Sequence, residues 1–250
     1  MRVTRLAITP VKGTGLHHPA AIDLRRWGAV GDRAFVVVDE RGRVVSLPRT
    51  GAFAGLRARH DGDLAFHEGD ALLCRGPVAL AEAVRVEAHA GPVPGRVVAG
   101  PWTALLSQRA GRPVRLVKLD EPGAGNDVAP VTLVGTASLA RLAERVGAPV
   151  DARRFRMLVE LETDVPHAED EWRGRRLRGE EVELVVGLPV PRCAAITRHP
   201  DRGDRDQPLV RAIRDDRGTG PSGVPFGVYA EVVREGRLRV GEELVLSSSG

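Results

Sequence analysis

Residues 34–47 read AFVVVDERGRVVSL, two β-branched runs around Asp39-Glu40-Arg41-Gly42. Valine favours a half-buried pleat, and an acidic tetrapeptide ending in glycine is turn chemistry, so the stretch predicts a β-hairpin. The same style extends outward. VTRLAITPV, residues 3–11, alternates, with Leu6 and Ile8 on one face and Arg5 and Thr9 on the other. ARHDGDLAFHEGDALLC, residues 58–74, repeats it around Asp-Gly and Gly-Asp turns, and HAGPVPGRVVAGPW, residues 89–102, is expected to cross between subdomains. Helices are expected in WTALLSQRAGRP, TASLARLAERVGAP and QPLVRAIRDD. In the second, Leu139, Leu142, Ala143 and Val146 share a face, Thr136 or Ser138 caps the start, and Gly147 ends it. From RRFRMLVEL onward the pattern is β again, with VELVVG as a buried strand and REGRLRVGEELVL as a closing hairpin. TGPSG, residues 219–223, reads as a mobile loop and the SSSG tail as frayed. Many short strands with few helices predict a mainly β, barrel-like architecture with helical insertions.

The chain has 250 residues, enough for a sizeable core in one large domain or two small ones. Hydrophobic content is 42% and charged content 28%, and no window approaches a membrane-spanning helix in length, so no membrane partner is expected. MRVTRLAITPVKG is too briefly apolar for a signal peptide and reads as a strand. Two distant cysteines, Cys74 and Cys193, in such a chain predict a reducing, cytoplasmic setting. Net charge is +4, almost all the cations being arginine, since Lys12 and Lys118 are the only lysines. Arginine's planar fork suits phosphate or carboxylate. With 4% aromatics, interleaved charges and no recognition-helix pattern, a nucleic-acid partner is not expected, and a pocket for a small anion fits better.

Several chemistries lack their residues. There is no CxxC or HxxxH pair for structural zinc, and two cysteines are too few for an iron–sulfur cluster. GTGLHH does not have dinucleotide-loop spacing, no GxSxG elbow is present, and Lys12 in PVKGTG suits an anion better than a Schiff base. Cys193 in PVPRCAAITRHP, residues 189–200, stands out. Pro189 and Pro191 stiffen its approach, and Arg192 and Arg198 would favour the thiolate if either turns inward. An inert buried cysteine, a nucleophile, a sulfur carrier and a ligand for a soft metal all remain open for it.

Five segments in order resemble the MOSC-domain family with the N-terminal β-barrel domain that commonly precedes it. ITPVKG and WGAVGDRAFVVVDERG resemble its PVKS and GxxxDR segments. VTLVGTASLARLAERVGAPVDARRFR resembles the stretch leading to RFRPN. EDEWRGRRLRGEEVEL, PRCAAITRHPDRG and FGVYAEVVREGRLRVGEEL follow. The resemblance implies an N-terminal β-barrel-like domain over residues 1–95 and a MOSC domain over 96–250. Relatives include molybdenum-dependent amidoxime-reducing proteins and the C-terminal domain of molybdenum cofactor sulfurases. It therefore implies a pterin-type molybdenum cofactor between the domains, with Cys193 as metal ligand and catalytic residue. Lys12, Arg33, Arg156 and Arg192 would bind the cofactor. The implied activity is reduction of N-hydroxylated or N-oxide small molecules, with electrons from a separate protein.

The sequence also departs from the family. Gly13 stands for the serine of PVKS, Met157 and Leu158 for the Pro-Asn of RFRPN, Ile196 for a threonine, His199 for an aspartate, and Tyr229 replaces part of an FGQN-like run. A sulfur carrier acting through Cys193, and a MOSC fold whose modified pocket no longer takes molybdenum, stay open as alternatives. Arg33 could instead pair with Asp32, and Arg156, alternating with Phe155 on an expected strand, could face solvent. Trp172 is expected to pack, and the acidic EDE before it to form a solvated turn.

Overall fold

The computed structural model describes residues 1–88 and 91–247. Strands β1 (Val3–Leu6), β2 (Ala21–Arg25), β3 (Gly28–Ala29) and β4 (Phe35–Val38) precede a meander of β5 (Leu56–His60), β6 (Asp63–Glu68) and β7 (Ala71–Pro77). The long pair β8 (Ala79–Ala88) and β9 (Gly91–Ala99) leads to helix α1 (Trp102–Ala110) and β10 (Arg115–Leu119). Then come β11 (Val131–Gly135), α2 (Thr136–Val146), β12 (Val159–Leu161), β13 (Arg176–Arg178) and β14 (Glu183–Arg192). Helix α3 (Leu209–Arg217), β15 (Val224–Arg234), β16 (Gly236–Arg239) and β17 (Val245–Ser247) close the described chain.

The fold is mainly β with few helices. A seven-stranded sheet, ordered β1-β12-β11-β15-β14-β13-β17, is antiparallel except between β11 and β12. Its long central pair, β14 and β15, carries repeated register shifts, and such bulges bend a sheet. The sheet therefore curls into a half-barrel. The small sheet β16-β2-β3 covers its inner face, so that Ile22, Leu24 and Leu238 share one core with Leu133, Leu161, Leu184 and Val228. Helices α2 and α3 pack elsewhere, with Leu142 and Ile213 against Val134, Phe155, Ile196 and Phe226. In front, the sheets β4-β10-β9-β8 and β5-β6-β7 enclose a core of Phe35, Phe53, Phe66, Trp102, Leu106 and Leu116. Strands also exchange across residue 95: β1 pairs with β12, β2 with β16, and β4 with β10.

Several local expectations change. The hairpin at 34–47 forms on one side only: β4 is a strand, but the returning valines make a single bridge, Val38 to Val44, while Arg43 bridges Glu87 of β8 and the Glu87 N–H donates to the Gly42 carbonyl at 2.8 Å. HAGPVPGRVVAGPW is a strand, not a crossover, from Gly91 on; His89 and Ala90 lie outside the described residues. Its prolines are accommodated because β10 pairs only with Gly95–Val97, leaving Pro92 and Pro94 beyond the ladder on that side. The closing hairpin does not pair with itself, since β16 joins β2 and β17 joins β13. Gly220 and Gly223 of TGPSG bridge each other through backbone hydrogen bonds, and residues 248–250 of the tail lie outside the described residues.

Helix α2 is capped from outside its own sequence. Neither Thr136 nor Ser138 caps it; the N-cap position is Gly135, which has no side chain to offer. Glu169, fully buried rather than solvated, accepts from the Gly135 N–H at 3.3 Å and from Ser138 Oγ at 2.8 and 2.9 Å. Thr163 Oγ1 accepts from the Ala137 N–H at 3.2 Å. A Cβ on Gly135 would come within 2.5 Å of Thr163 Oγ1, so the glycine is required by close approach. Gly147 ends the helix in the left-handed region at φ 71°, as expected. Replacing Glu169 with alanine strands two buried donors, and is expected to lower stability by about 1–3 kcal/mol. A urea unfolding curve should show the lower midpoint for Glu169→Ala, with the exposed Glu171→Ala unchanged.

Candidate functional site

Cys193 follows the last residue of β14 and opens a short 3-10 turn, Ala194–Thr197. Pro189 and Pro191 sit in β14 beyond its pairing with β13 and at register shifts of its pairing with β15, where a strand tolerates missing N–H groups. The thiol is free and exposed, not buried. Arg192 turns back beneath it. Its Nε and Nη2 donate to the Phe226 carbonyl at 2.9 and 2.7 Å, and its Nη1 donates to the Phe155 carbonyl at 3.0 Å. Burial pushes this guanidinium down to about 10, while Tyr229 and Cys193 act in the opposite direction. Tyr229, half-buried on β15, has its phenol pushed up by burial and lies within electrostatic reach of Arg192, Arg33, Asp127 and Cys193. Arg198 does not turn toward the thiol. Its Nε and Nη1 donate to the carbonyls of Leu47 and Gly203, each at 2.8 Å.

Lys12, Arg33 and Arg156 gather beside this strand end. Lys12 Nζ donates to the Gly125 carbonyl at 2.9 Å and to Asp127 Oδ1 at 2.6 Å. Arg33 lies 3.5 Å from Asp32 by Nε, and its Nη2 donates to the Arg156 carbonyl at 3.4 Å. Arg156 is not on a strand. It ends the 3-10 turn Ala152–Phe155 in the left-handed region, and its Nη1 donates to the Thr14 carbonyl at 2.8 Å. Its Nη2 is buried without a partner among the described residues. Burial first, then Arg33, pushes the Arg156 guanidinium down to about 10, with Asp32 and Asp127 opposing. Burial also lowers the Lys12 ammonium; Asp127 opposes this, and Arg33 and Arg156 lower it further. Three cations thus converge on two carboxylates, leaving one buried donor unmet. A phosphate-sized anion is what such a group of donors can hold.

The loop after Cys193 is clamped by residues that sequence reading passed over. Arg154, buried, makes a forked pair with Asp206 at 2.7 and 2.9 Å and donates to the Arg198 carbonyl at 2.9 Å. Arg153 bridges Asp151 and Asp201, with Nη2 at 2.6 and 2.7 Å from their carboxylates. The doubled arginine in RRF and the aspartates in HPDRGDRD were the only signals available. The His199 Nδ1 is engaged within its own loop, accepting from the Asp201 and Arg202 N–H groups at 3.1 and 3.2 Å. Ile196, Met157 and Leu158 are buried in the cores. Gly13 has φ 94°, a conformation a serine there would strain to adopt. Trp172 packs as expected. A cavity of about 40 Å³, lined by Thr14, Arg154, Arg156, Ala195, Arg198 and His199, joins the cations to this loop. It has room for water rather than a cofactor body. Among the described residues, no three or more His, Cys, Asp or Glu side chains group as a metal site.

The clamp gives the loop a pH dependence. Arg154 holds the Asp206 carboxyl below its ordinary value, Arg153 does the same for Asp201, and at Asp151 the Arg153 contacts outweigh the opposing effect of burial. Depressed carboxylates contribute stability above the unfolded value of about 3.9 and lose it as pH falls through the folded one. The thermal midpoint is expected to drop below about pH 4. Asp206→Asn should lower the midpoint at neutral pH and flatten that acid limb; an identical limb in the variant would show that the pair is not its source.

Comparison with known proteins agrees with this architecture. The family model described as "MOSC domain" matches residues 120–245, and that described as "MOSC N-terminal beta barrel domain" matches residues 1–91. Mitochondrial amidoxime reducing component 2 of Bos taurus is 33% identical over 124 residues, 46% of this chain and 36% of that protein. Mitochondrial amidoxime-reducing component 1 of Homo sapiens is 26% identical over 253 residues, 88% of this chain and 74% of that protein. The first match spans about a third of the bovine protein's length. The solved structure of the YUAD protein from Bacillus subtilis is similar over 97% of this chain and 93% of that one, at 11% identity and a TM-score of 0.45. The cytoplasmic expectation does not stand, because both curated relatives are named as mitochondrial components. Reduced cysteines report the redox poise around a chain, and that poise is not unique to one compartment. No helix among the described residues is long and apolar enough to cross a membrane. The chain belongs to the MOSC-domain family and carries the MOSC N-terminal β-barrel domain ahead of it.

Proposed function

We propose that this protein is a molybdenum-cofactor-dependent oxidoreductase that reduces N-hydroxylated or N-oxide small molecules with electrons from a separate protein. The names of the two relatives, both amidoxime-reducing components, support the reaction class. The observation that carries the reading is the buried, unpartnered Nη2 of Arg156, set among Lys12 and Arg33 within electrostatic reach of one another. These donors fit the phosphate of a pterin cofactor. A soft thiolate such as Cys193 fits a metal whose other soft ligands come with the cofactor, so no cluster of protein ligands is needed.

When bound, the group supplies the redox centre at which the substrate gives up its oxygen. Lys12, Arg33 and Arg156 hold the phosphate, and Arg192 braces the strand end that presents Cys193 through the Phe155 and Phe226 carbonyls. Arg153 and Arg154 keep the following loop from swinging across the thiol. Tyr229 keeps its proton at neutral pH, because burial raises its phenol, and so offers a hydrogen-bond donor near Cys193.

The exposure of Cys193 favours a second reading, a sulfur carrier in which this thiol accepts and passes on sulfane sulfur. Metal analysis separates the two. Protein made with the cofactor pathway intact should hold molybdenum in wild type, lose it in Cys193→Ala, and lose pterin on gel filtration in Arg156→Ala. Wild type free of molybdenum, with a single-sulfur mass gain at Cys193 after a persulfide donor, would replace the first reading with the second.

A further inference from the structure

The turn at residues 46–50 has two sides. Leu47 lines the small cavity beside Arg156, whereas Ser46, Arg49 and Thr50 line a separate cleft of about 310 Å³. Arg43, on the return from β4, and Arg112, just past the end of α1, complete its basic wall. Among the described residues, the only carboxylate lining it is Asp39. That carboxylate is already engaged, accepting from the Arg41 and Arg43 N–H groups and from Arg43 Nε, each at 3.0 Å. Among the described residues, neither Arg49 nor Arg112 has a carboxylate within ion-pair distance. Arg43 pairs with that acid, its Nη2 at 2.8 Å, so the two guanidinium groups of Arg49 and Arg112 line the cleft without a carboxylate to offset them.

The wall is also braced from behind. The Leu47 carbonyl accepts from Arg198 Nε at 2.8 Å, and the Pro48 carbonyl accepts from Arg205 Nη2 at 3.2 Å. Within the turn, the Arg49 and Thr50 N–H groups both donate to the Ser46 carbonyl, at 3.0 and 3.2 Å. The backbone that carries Arg49, Ser46 and Thr50 is thus held before any ligand arrives, which lowers the entropy lost on binding.

We propose that this cleft is a second binding site, taking a small polyanion of the phosphate-ester or diphosphate class. The forked arginines pair with phosphate oxygens, and the hydroxyls of Ser46 and Thr50 supply further polar contacts. A single carboxylate would leave much of this wall unused. The cleft's size is that of a small-molecule site rather than an extended groove.

The test is calorimetric titration of the full chain with inorganic diphosphate, followed in parallel by phosphorus NMR line broadening. Wild type should bind saturably, and Arg49→Ala with Arg112→Ala should weaken binding by at least about tenfold. In an Arg156→Ala background, where the cation cluster of the proposed cofactor site no longer competes for the probe, a saturable binding event that depends on Arg49 and Arg112 should persist, which separates this cleft from that site. If the double variant does not fold, the single Arg112→Ala, at an exposed position, carries the comparison. Lack of saturation in wild type, equal affinity in a folded Arg49 and Arg112 variant, or complete loss of binding in Arg156→Ala would overturn the proposal. So would binding confined to long polymers such as heparin.

Discussion

The antiparallel pairing of β1 with β12 is the constraint on which the site depends. Val3, Arg5 and Leu6 register with Leu161, Glu160 and Val159, so the first residues of the chain become an edge of the sheet built by its second half. The chain leaving β1 then carries Thr9 and Lys12 to the side of Arg156. Cross-links lock that approach: the Arg33 N–H donates to the Thr9 carbonyl at 2.7 Å, the Thr9 N–H to Asp32 at 2.7 Å, and Arg156 to the Thr14 carbonyl at 2.8 Å. Without the pairing, three cations from residues 12, 33 and 156 would have no reason to meet.

Their meeting is unfavourable in itself. Burial lowers the pKa of Lys12 and Arg156, and the like charges beside them lower it further. Arg33 and Arg156 also take positive φ, 49° and 52°, where non-glycine residues are uncommon and the cost is on the order of 1 kcal/mol each. The surrounding sheet supplies the stability that keeps this arrangement in place. Positive φ at two arginines and an unmet guanidinium donor meet here in one cluster of cations, which is the arrangement an anion would relieve. The loop after Cys193 is treated in the opposite way, since Arg153 and Arg154 meet their aspartates there with short, forked contacts.

Much of the strand content was legible because alternation and turn chemistry are local. The meander β5–β7, the helix α2 with Gly147 at its end, and the strand carrying VELVVG follow from neighbours within a few residues. Where reading failed, a distant partner had intervened. The valines after Gly42 keep one bridge to β4, because the chain there is also drawn to Glu87 of β8. Glu169 looked like part of a solvated turn, yet it is buried as the remote cap of α2. Arg156 looked like a strand residue, but the chain coils at Ala152–Phe155 so that Arg153 and Arg154 can reach Asp201 and Asp206.

By itself the sequence determined a mainly β chain with three helices, an unusual cysteine behind two prolines, and an order of motifs that identifies the family. Those properties depend on residue type and near spacing. The tertiary structure alone decided that Lys12, Arg33 and Arg156 share one neighbourhood, that Cys193 is exposed, and that the His199 Nδ1 is taken up by its own loop. Each of these depends on which strand lies beside which. Strand pairing joins residues more than a hundred positions apart through backbone hydrogen bonds that every residue type can make, so no local pattern records the partner.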